Sequence, residues 1–263
     1  MTRQRSRFPR RQRAGWALLA FVAVLALVAG ACGDDDDDTT AGDTADGSTE
    51  TDTGSTGDDT AAFCQARIDL ERAFGSEQPD VDAVMALLED MEASAPDAVA
   101  TNAAGLADVL ATAAESGTDP SEDPAFGENI SPIDEYVVNE CGYEIVEVGA
   151  IEYAFEGLPE TVPAGVSGLV LNNDGAEPHE MIVFRVNDGV TGSAEELLAA
   201  PEDQIQQNLT FAGAAVAQPG TSGVTFPELE PGRHVVVCFI PVGGGEDGPP
   251  HFMHGMLGEF EVA

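Results

Sequence analysis

Residues 238–256 read C-F-I-P-V-G-G-G-E-D-G-P-P-H-F-M-H-G-M. This stretch decides the C-terminal fold. Arg233 to Ile240, ending on it, is rich in β-branched residues and bounded by Pro231-Gly232, the signature of a strand. Met256 to Val262, leaving it, predicts another. Between the two strands lie Cys238, His251, Met253, His254 and Met256, joined by a glycine- and proline-rich loop. Upstream, N-N-D-G-A-E-P-H-E-M-I-V-F over residues 172–184 carries His179 into a third strand. A thiolate and a thioether are soft donors that suit copper, and imidazole accepts either of its oxidation states. Zinc also takes Cys and His, but a methionine ligand argues against it.

Working outward, Tyr143 to Val148, Ile151 to Phe155, Val166 to Leu171, Met181 to Val186 and Thr221 to Phe226 alternate or run apolar between Gly, Pro and Asn turns. Residues 143–263 therefore predict about seven short strands, an all-β Greek-key sandwich. Thr191 to Asn208 interrupts the pattern: Ser193 precedes Ala-Glu-Glu and Pro201 precedes Glu-Asp, two helix starts.

Residues 61–142 change period. Ala61 to Phe74 predicts one helix, and Pro79-Asp80 opens a second with Val81, Val84, Leu88 and Met91 on one stripe. Pro96-Asp97 opens a third, through Leu106 and Leu110; Asp119 to Pro124 reads as a loop; Ile130 to Asn139 predicts a fourth. The result is a small α-helical domain without histidine, its acids on solvent faces, a spacer or docking unit. Cys64 and Cys141 bracket it and form the natural disulfide pair, which ties first helix to last and offsets a limited core. Cys238 is then single. Metal ligation is one account of it, and an inert buried thiol is the other.

The N-terminus carries six arginines, then an apolar run from Trp16 to Val28, then Ala29-Gly30-Ala31-Cys32. This is a charged, apolar and small-residue sequence of a signal peptide, residues 1–31. Cysteine after the small residues resembles a bacterial lipobox, with Ala29 where that family usually has Leu. The resemblance implies cleavage before Cys32 and lipid on it, hence a lipid-anchored protein on the extracytoplasmic face of the cell membrane. A plain secretory signal is the alternative. Residues 32–60, nearly all Asp, Thr, Gly, Ser and Glu, predict a disordered acidic linker. The chain has 263 residues, no lysine, and a net charge of -38. Only Arg67, Arg72, Arg185 and Arg233 lie beyond the signal segment, which excludes nucleic-acid binding by phosphate neutralisation.

Residues 145–263 resemble a cupredoxin domain, the fold of plastocyanin and azurin. The resemblance is carried by T-V-P-A-G, N-N-D-G-A-E-P-H-E, P-G-R-H-V-V-V-C-F-I-P and P-H-F-M-H-G-M. It implies one type 1 copper ion held by His179, Cys238 and His251, with Met256 as axial thioether. Four residues separate His251 from Met256, as in plastocyanin-type loops, whereas twelve separate Cys238 from His251, far more than in small blue proteins. The Gly243–Pro250 segment must loop out to return His251. His254 could replace His251, and His179 could merely end a strand. Met181 and Met253 read as core filler. His234, four residues before Cys238, could share its face.

These residues point to one-electron transfer with a redox or copper-exchange protein partner. Copper storage or delivery, and a metal-free binding module, are the alternatives. An enzyme is disfavoured. Four histidines are too few for a multicopper oxidase, and no nucleophile elbow or phosphate loop occurs.

Overall fold

The computed structural model describes residues 56–75, 80–244 and 248–263. The stretch 1–31 expected to be a signal peptide, Cys32 and the expected linker up to residue 55 lie outside the described residues. Among the described residues no helix is long and apolar enough to cross a membrane.

Four helices come first: α1 Thr56–Phe74, α2 Val81–Ala93, α3 Ala100–Ser116 and α4 Pro124–Glu140. Two expectations are corrected here. Helix α1 begins inside the stretch read as linker, with Asp59 in its first turns, where acids complement the helix dipole. Helix α4 starts at Pro124, not near Ile130: Asp123 caps it by accepting the Ala125 amide at 2.9 Å, and Pro124 occupies the first turn. Helix α2 starts where expected, on the Asp80 cap. Cys64 in α1 and Cys141 at the end of α4 are disulfide-bonded, their Cα atoms 5.8 Å apart.

The rest of the chain is a two-sheet sandwich. Its strands are β1 Glu144–Ile151, β2 Ala154–Glu156, β3 Thr161–Val162, β4 Gly165–Asn173, β5 His179–Val186, β6 Leu209–Ala217, β7 Ser222–Thr225, β8 Glu228–Leu229, β9 Gly232–Val237 and β10 Leu257–Val262. One sheet runs β2-β1-β4-β7 with β8 also on β4, and the other runs β3-β10-β9-β5-β6. The chain crosses between sheets from β4 to β5, β6 to β7 and β8 to β9, the Greek-key habit expected of the alternation. Leu169 and Leu171 of one sheet and Met181, Val183, Val236 and Phe260 of the other fill the space between. Two short helices, α5 Ala194–Leu198 and α6 Glu202–Asn208, form the expected insertion. Helix α5 has a complete Ser193–Glu196 capping box, and its Leu197 and Leu198 pack on the outer face of β5 and β9.

The strand β6 is absent from the sequence reading. Its residues L-T-F-A-G-A-A-V-A have low strand propensity, yet it pairs with β5 along its length, from His179 opposite Ala217 to Val186 opposite Leu209. Pairing with an open sheet edge outweighs propensity here.

The helical unit is not a free spacer. Val166 and Val224 of the first sheet, and Phe226 just after β7, pack in the same apolar cluster as α1, α2, α3 and α4. Gly168 has no side chain because a Cβ there would lie 3.2 Å from Phe226 and 2.6 Å from Ile145. The acids are not all on solvent faces either. Arg67, 6% exposed, pairs with Asp134 at 2.7 Å and Glu71 at 2.9 Å. It also lies over the Phe226 ring, 5.2 Å from its centroid. The Glu71 carboxylate accepts from the Thr225 hydroxyl and from the Phe226 amide, the latter at 2.8 Å.

Candidate metal centre

Strand order brings three of the candidate ligands to one end of one sheet. His179 opens β5, Cys238 follows β9, and Met256 precedes β10, and β10, β9 and β5 are successive neighbours. His251 reaches the same place by way of the long loop. That loop closes on itself: Val242 N donates to Pro249 O at 3.0 Å, and Pro241 bridges Pro250. A Cβ on Gly248 would sit 2.5 Å from the Val242 carbonyl oxygen, so the closure requires glycine there. Beyond it, His251 N donates to Ile240 O at 2.9 Å and Phe252 N to Cys238 O at 2.9 Å. The extra residues are thus excluded as a lobe, of which 245–247 lie outside the described residues, and His251 returns beside Cys238.

His179, Cys238 and His251 are fully buried, with donor atoms all within 4.8 Å of one another. Both imidazoles present Nδ1: His179 Nδ1 and His251 Nδ1 are 3.2 Å apart, and Cys238 Sγ is 3.4 Å from His251 Nδ1. Those spacings test whether one metal fits. Metal bonds of about 2.0 Å to nitrogen and about 2.3 Å to sulfur would let one ion reach all three donors at once. The donors are therefore spaced for a single small ion. Met256 is also fully buried, and its carbonyl accepts the Cys238 amide at 3.2 Å while its own amide donates to His251 O at 3.2 Å. The methionine is tied through its backbone to both neighbouring ligands.

The histidine alternatives separate. His254 is exposed and lies tilted beside Tyr153, ring centroids 5.1 Å apart; it is not in the cluster. His234 is buried, stacks on Phe260 at 5.1 Å and points Nδ1 at Gly232 O, 3.0 Å away. Met181 is core, as expected. Met253, expected as core, is 57% exposed because it falls on the outside of the 3-10 turn His251–His254.

Four side chains around the ligands escaped sequence reasoning. Glu180, beside His179, donates its amide toward Cys238 Sγ at 3.5 Å, and its carboxylate accepts the Phe239 amide at 2.8 Å. Glu152 lies 3.7 Å from His179 Nε2 and accepts the Glu177 amide at 2.9 Å. Glu177 lies 3.2 Å from His251 Nε2. Asn173, 2% exposed, donates to Glu177 O at 2.8 Å and Ala217 O at 2.9 Å and accepts the Gly175 amide at 2.8 Å. It holds the turn that delivers His179. Gly175 passes so close that a Cβ would meet Glu152 at 2.6 Å and His179 Nε2 at 2.9 Å. Sequence proximity to His179 was a usable signal for Glu177 and Glu180; Glu152 had none.

Burial pushes the Cys238 thiol up to about 12, so a metal that takes it as thiolate must displace its proton. Burial, then the His251 ring, hold His179 below the usual histidine range, which favours the neutral ligand form. Backbone amides, Gly243 first for Glu177 and Glu177 first for Glu152, hold both carboxyls below the usual range. The outer nitrogens of the two imidazoles therefore face ionised carboxylates, an arrangement that orients metal-binding histidines and raises their basicity.

No protein-family model matches the chain, and no curated protein matches it. Among solved structures it is similar to dithionite-reduced auracyanin from Roseiflexus castenholzii (24% identity, 46% of this chain and 99% of that one, TM-score 0.32). It is similar to auracyanin A, a "blue" copper protein of Chloroflexus aurantiacus (18% identity, 46% and 100%, TM-score 0.30). It is also similar to oxidised plastocyanin from Dryopteris crassirhizoma (19% identity, 44% and 99%, TM-score 0.25). By its own strand order and donor set, the C-terminal half is a cupredoxin-like sandwich. His179, Cys238 and His251, with Met256 beside them, fit a single type 1-like copper site.

Proposed function

We propose that the chain is a copper-binding electron carrier, lipid-anchored through Cys32 on the extracytoplasmic face of the membrane. The observation that carries the copper reading is the buried cluster of His179 Nδ1, His251 Nδ1 and Cys238 Sγ within 4.8 Å. Copper held there supplies one-electron chemistry through its thiolate bond. The chain contributes rigidity. Three of the four candidate ligands are fixed at the ends of adjacent strands, so their positions change little with charge on the metal. All four candidate ligands are fully buried, which shields the centre from bulk solvent and suits a carrier better than an enzyme that must admit a substrate.

The anchor rests on the sequence of Arg3 to Cys32 alone. The acidic chain would steer toward a cationic patch on a redox or copper-exchange partner.

The deciding experiment is copper(II) titration followed by visible absorption, with Cys238→Ala as control. An intense thiolate-to-copper band in the wild type, lost in the variant, together with a reversible one-electron couple, is the expected result. No band and no retained copper would refute the reading. Tight binding without a reversible couple would turn it to storage or delivery.

A further inference from the structure

Among the described acids, Glu177 is distinguished by its partners. Its Oε2 lies 3.2 Å from His251 Nε2 and accepts the Gly243 amide at 2.7 Å. Its Oε1 accepts from the Tyr153 hydroxyl at 3.2 Å, and the Tyr153 ring lies 4.7 Å from that of His251. One carboxylate thus touches the ligand, the long loop that delivers it and the ring packed against it. Its own backbone is fixed at both ends: its amide donates to Glu152 at 2.9 Å, and its carbonyl accepts from Asn173 at 2.8 Å.

His251 needs such a hold more than the other ligands. It lies in a 3-10 turn, not in a strand, at the end of a loop with twelve residues between it and Cys238. Its backbone bonds to Ile240 and Met256 place the Cα, but they leave the ring free to turn about its side-chain torsions. The bond at Nε2, with the Tyr153 ring packed alongside, removes that freedom.

We propose that Glu177 is a positioning residue for the copper site. It latches the His251 ring from outside, with Nε2–H toward its carboxylate and Nδ1 toward Cys238, and its charge favours copper(II) over copper(I). This rests on the copper reading above. A carboxylate on the remote nitrogen fixes the tautomer and makes the near nitrogen a better donor. The same carboxylate on the Gly243 amide couples the loop to the ligand, which is how a long loop can serve where a short one would otherwise set the ring.

The test uses the full chain and two variants. In the metal-free protein, the nitrogen-15 shifts of the His251 ring report its tautomer. Wild type and Glu177→Gln, which keeps an acceptor oxygen, should both show Nε2–H, whereas Glu177→Ala should show a mixture. In the copper-loaded protein, Glu177→Gln should lower the copper(II)-to-copper(I) affinity ratio about tenfold, equivalent to a rise of about 59 mV in potential. Glu177→Ala should weaken copper(II) binding about 10- to 100-fold. An unchanged tautomer in Glu177→Ala, or an affinity ratio in Glu177→Gln within about twofold of wild type, would overturn the proposal. A wild-type chain that takes up no copper would refute the copper reading instead. The tautomer comparison would then still decide whether Glu177 holds His251.

Discussion

Glu71→Ala should loosen the whole molecule and not just the helical unit. Glu71 lies on α1, but two of the three groups that its carboxylate binds belong to the sandwich: the Thr225 hydroxyl and the Phe226 amide, 2.8 Å away. Thr225 is 0% and Phe226 1% exposed. The alanine variant leaves both donors buried without an acceptor, at about 1–3 kcal/mol each. Arg67 also loses one of its two carboxylates but keeps Asp134 at 2.7 Å, so the larger penalty for a wholly unpaired buried charge is avoided. The expected loss is about 2–6 kcal/mol, a large fraction of the stability of an ordinary domain. Urea unfolding of the full chain should be followed by two probes: helical ellipticity, and reactivity of the Cys238 thiol, which is fully buried inside the sandwich. Both midpoints should fall together. A loss under about 1 kcal/mol would refute the hydrogen-bond reasoning. A shift in ellipticity with Cys238 protection unchanged would refute the coupling between helices and sandwich. Glu71→Gln, which keeps one acceptor oxygen, should fall between wild type and alanine.

Replacing Cys64 and Cys141 together by serine should cost about 4–5 kcal/mol in the same urea assay. That follows from the loop-closure entropy of a 77-residue separation, and a loss below about 1 kcal/mol would show that the packing of α1 on α4 needs no covalent tie. Acid should weaken the sandwich through His234, which burial holds below the usual histidine range and whose Nε2 has no hydrogen-bond partner. The unfolded chain binds its proton first, so stability falls by about 1.4 kcal/mol per pH unit below about 6.5 until the folded His234 protonates in turn. His179, also held low, adds to the slope with the same sign. His234→Phe should flatten the dependence of Tm on pH in that window, and identical slopes in the two proteins would refute it.

The meeting of His179, Cys238 and Met256 at one end of a sheet was legible because sheet geometry is written in local pattern. Short apolar, β-branched runs through H-V-V-V-C and M-I-V-F announce strands, and donors at strand ends are then candidates to meet. Cys64 and Cys141 were legible because they bracket the helical periods. The start of α4 was written in Asp123-Pro124, a helix-opening pair, though its density of Asp and Pro also resembles a loop. The strand β6 was hidden for a different reason. A-G-A-A-V-A lacks the bulk that usually marks a strand, and small residues are needed there: a Cβ on Gly213 would lie 2.5 Å from the Thr225 hydroxyl oxygen. Glu152 and Glu71 were illegible because 48 acids look alike until a fold gives a few of them buried partners; Glu177 stood out only by lying two residues from His179.

The four candidate ligands are not equally secure, and the reason is topological. Strands β5 and β9 are antiparallel neighbours, as are β9 and β10. The start of β5, the end of β9 and the start of β10 therefore fall at one end of the sheet, which carries His179, Cys238 and Met256 there together. Sliding any of these strands by one residue would turn its core face outward, so the register that buries Val183, Val236 and Phe260 also sets these three donors. His251 has no such guarantee. Its backbone is placed by loop closure, and its ring is turned by contacts with Tyr153 and Glu177. Changes inside the strands should act on the site mainly through stability. Changes at Glu177, Tyr153 or the Gly243 amide should act on the metal with the sandwich intact, so the properties of this centre are open to adjustment at the loop that delivers its last ligand.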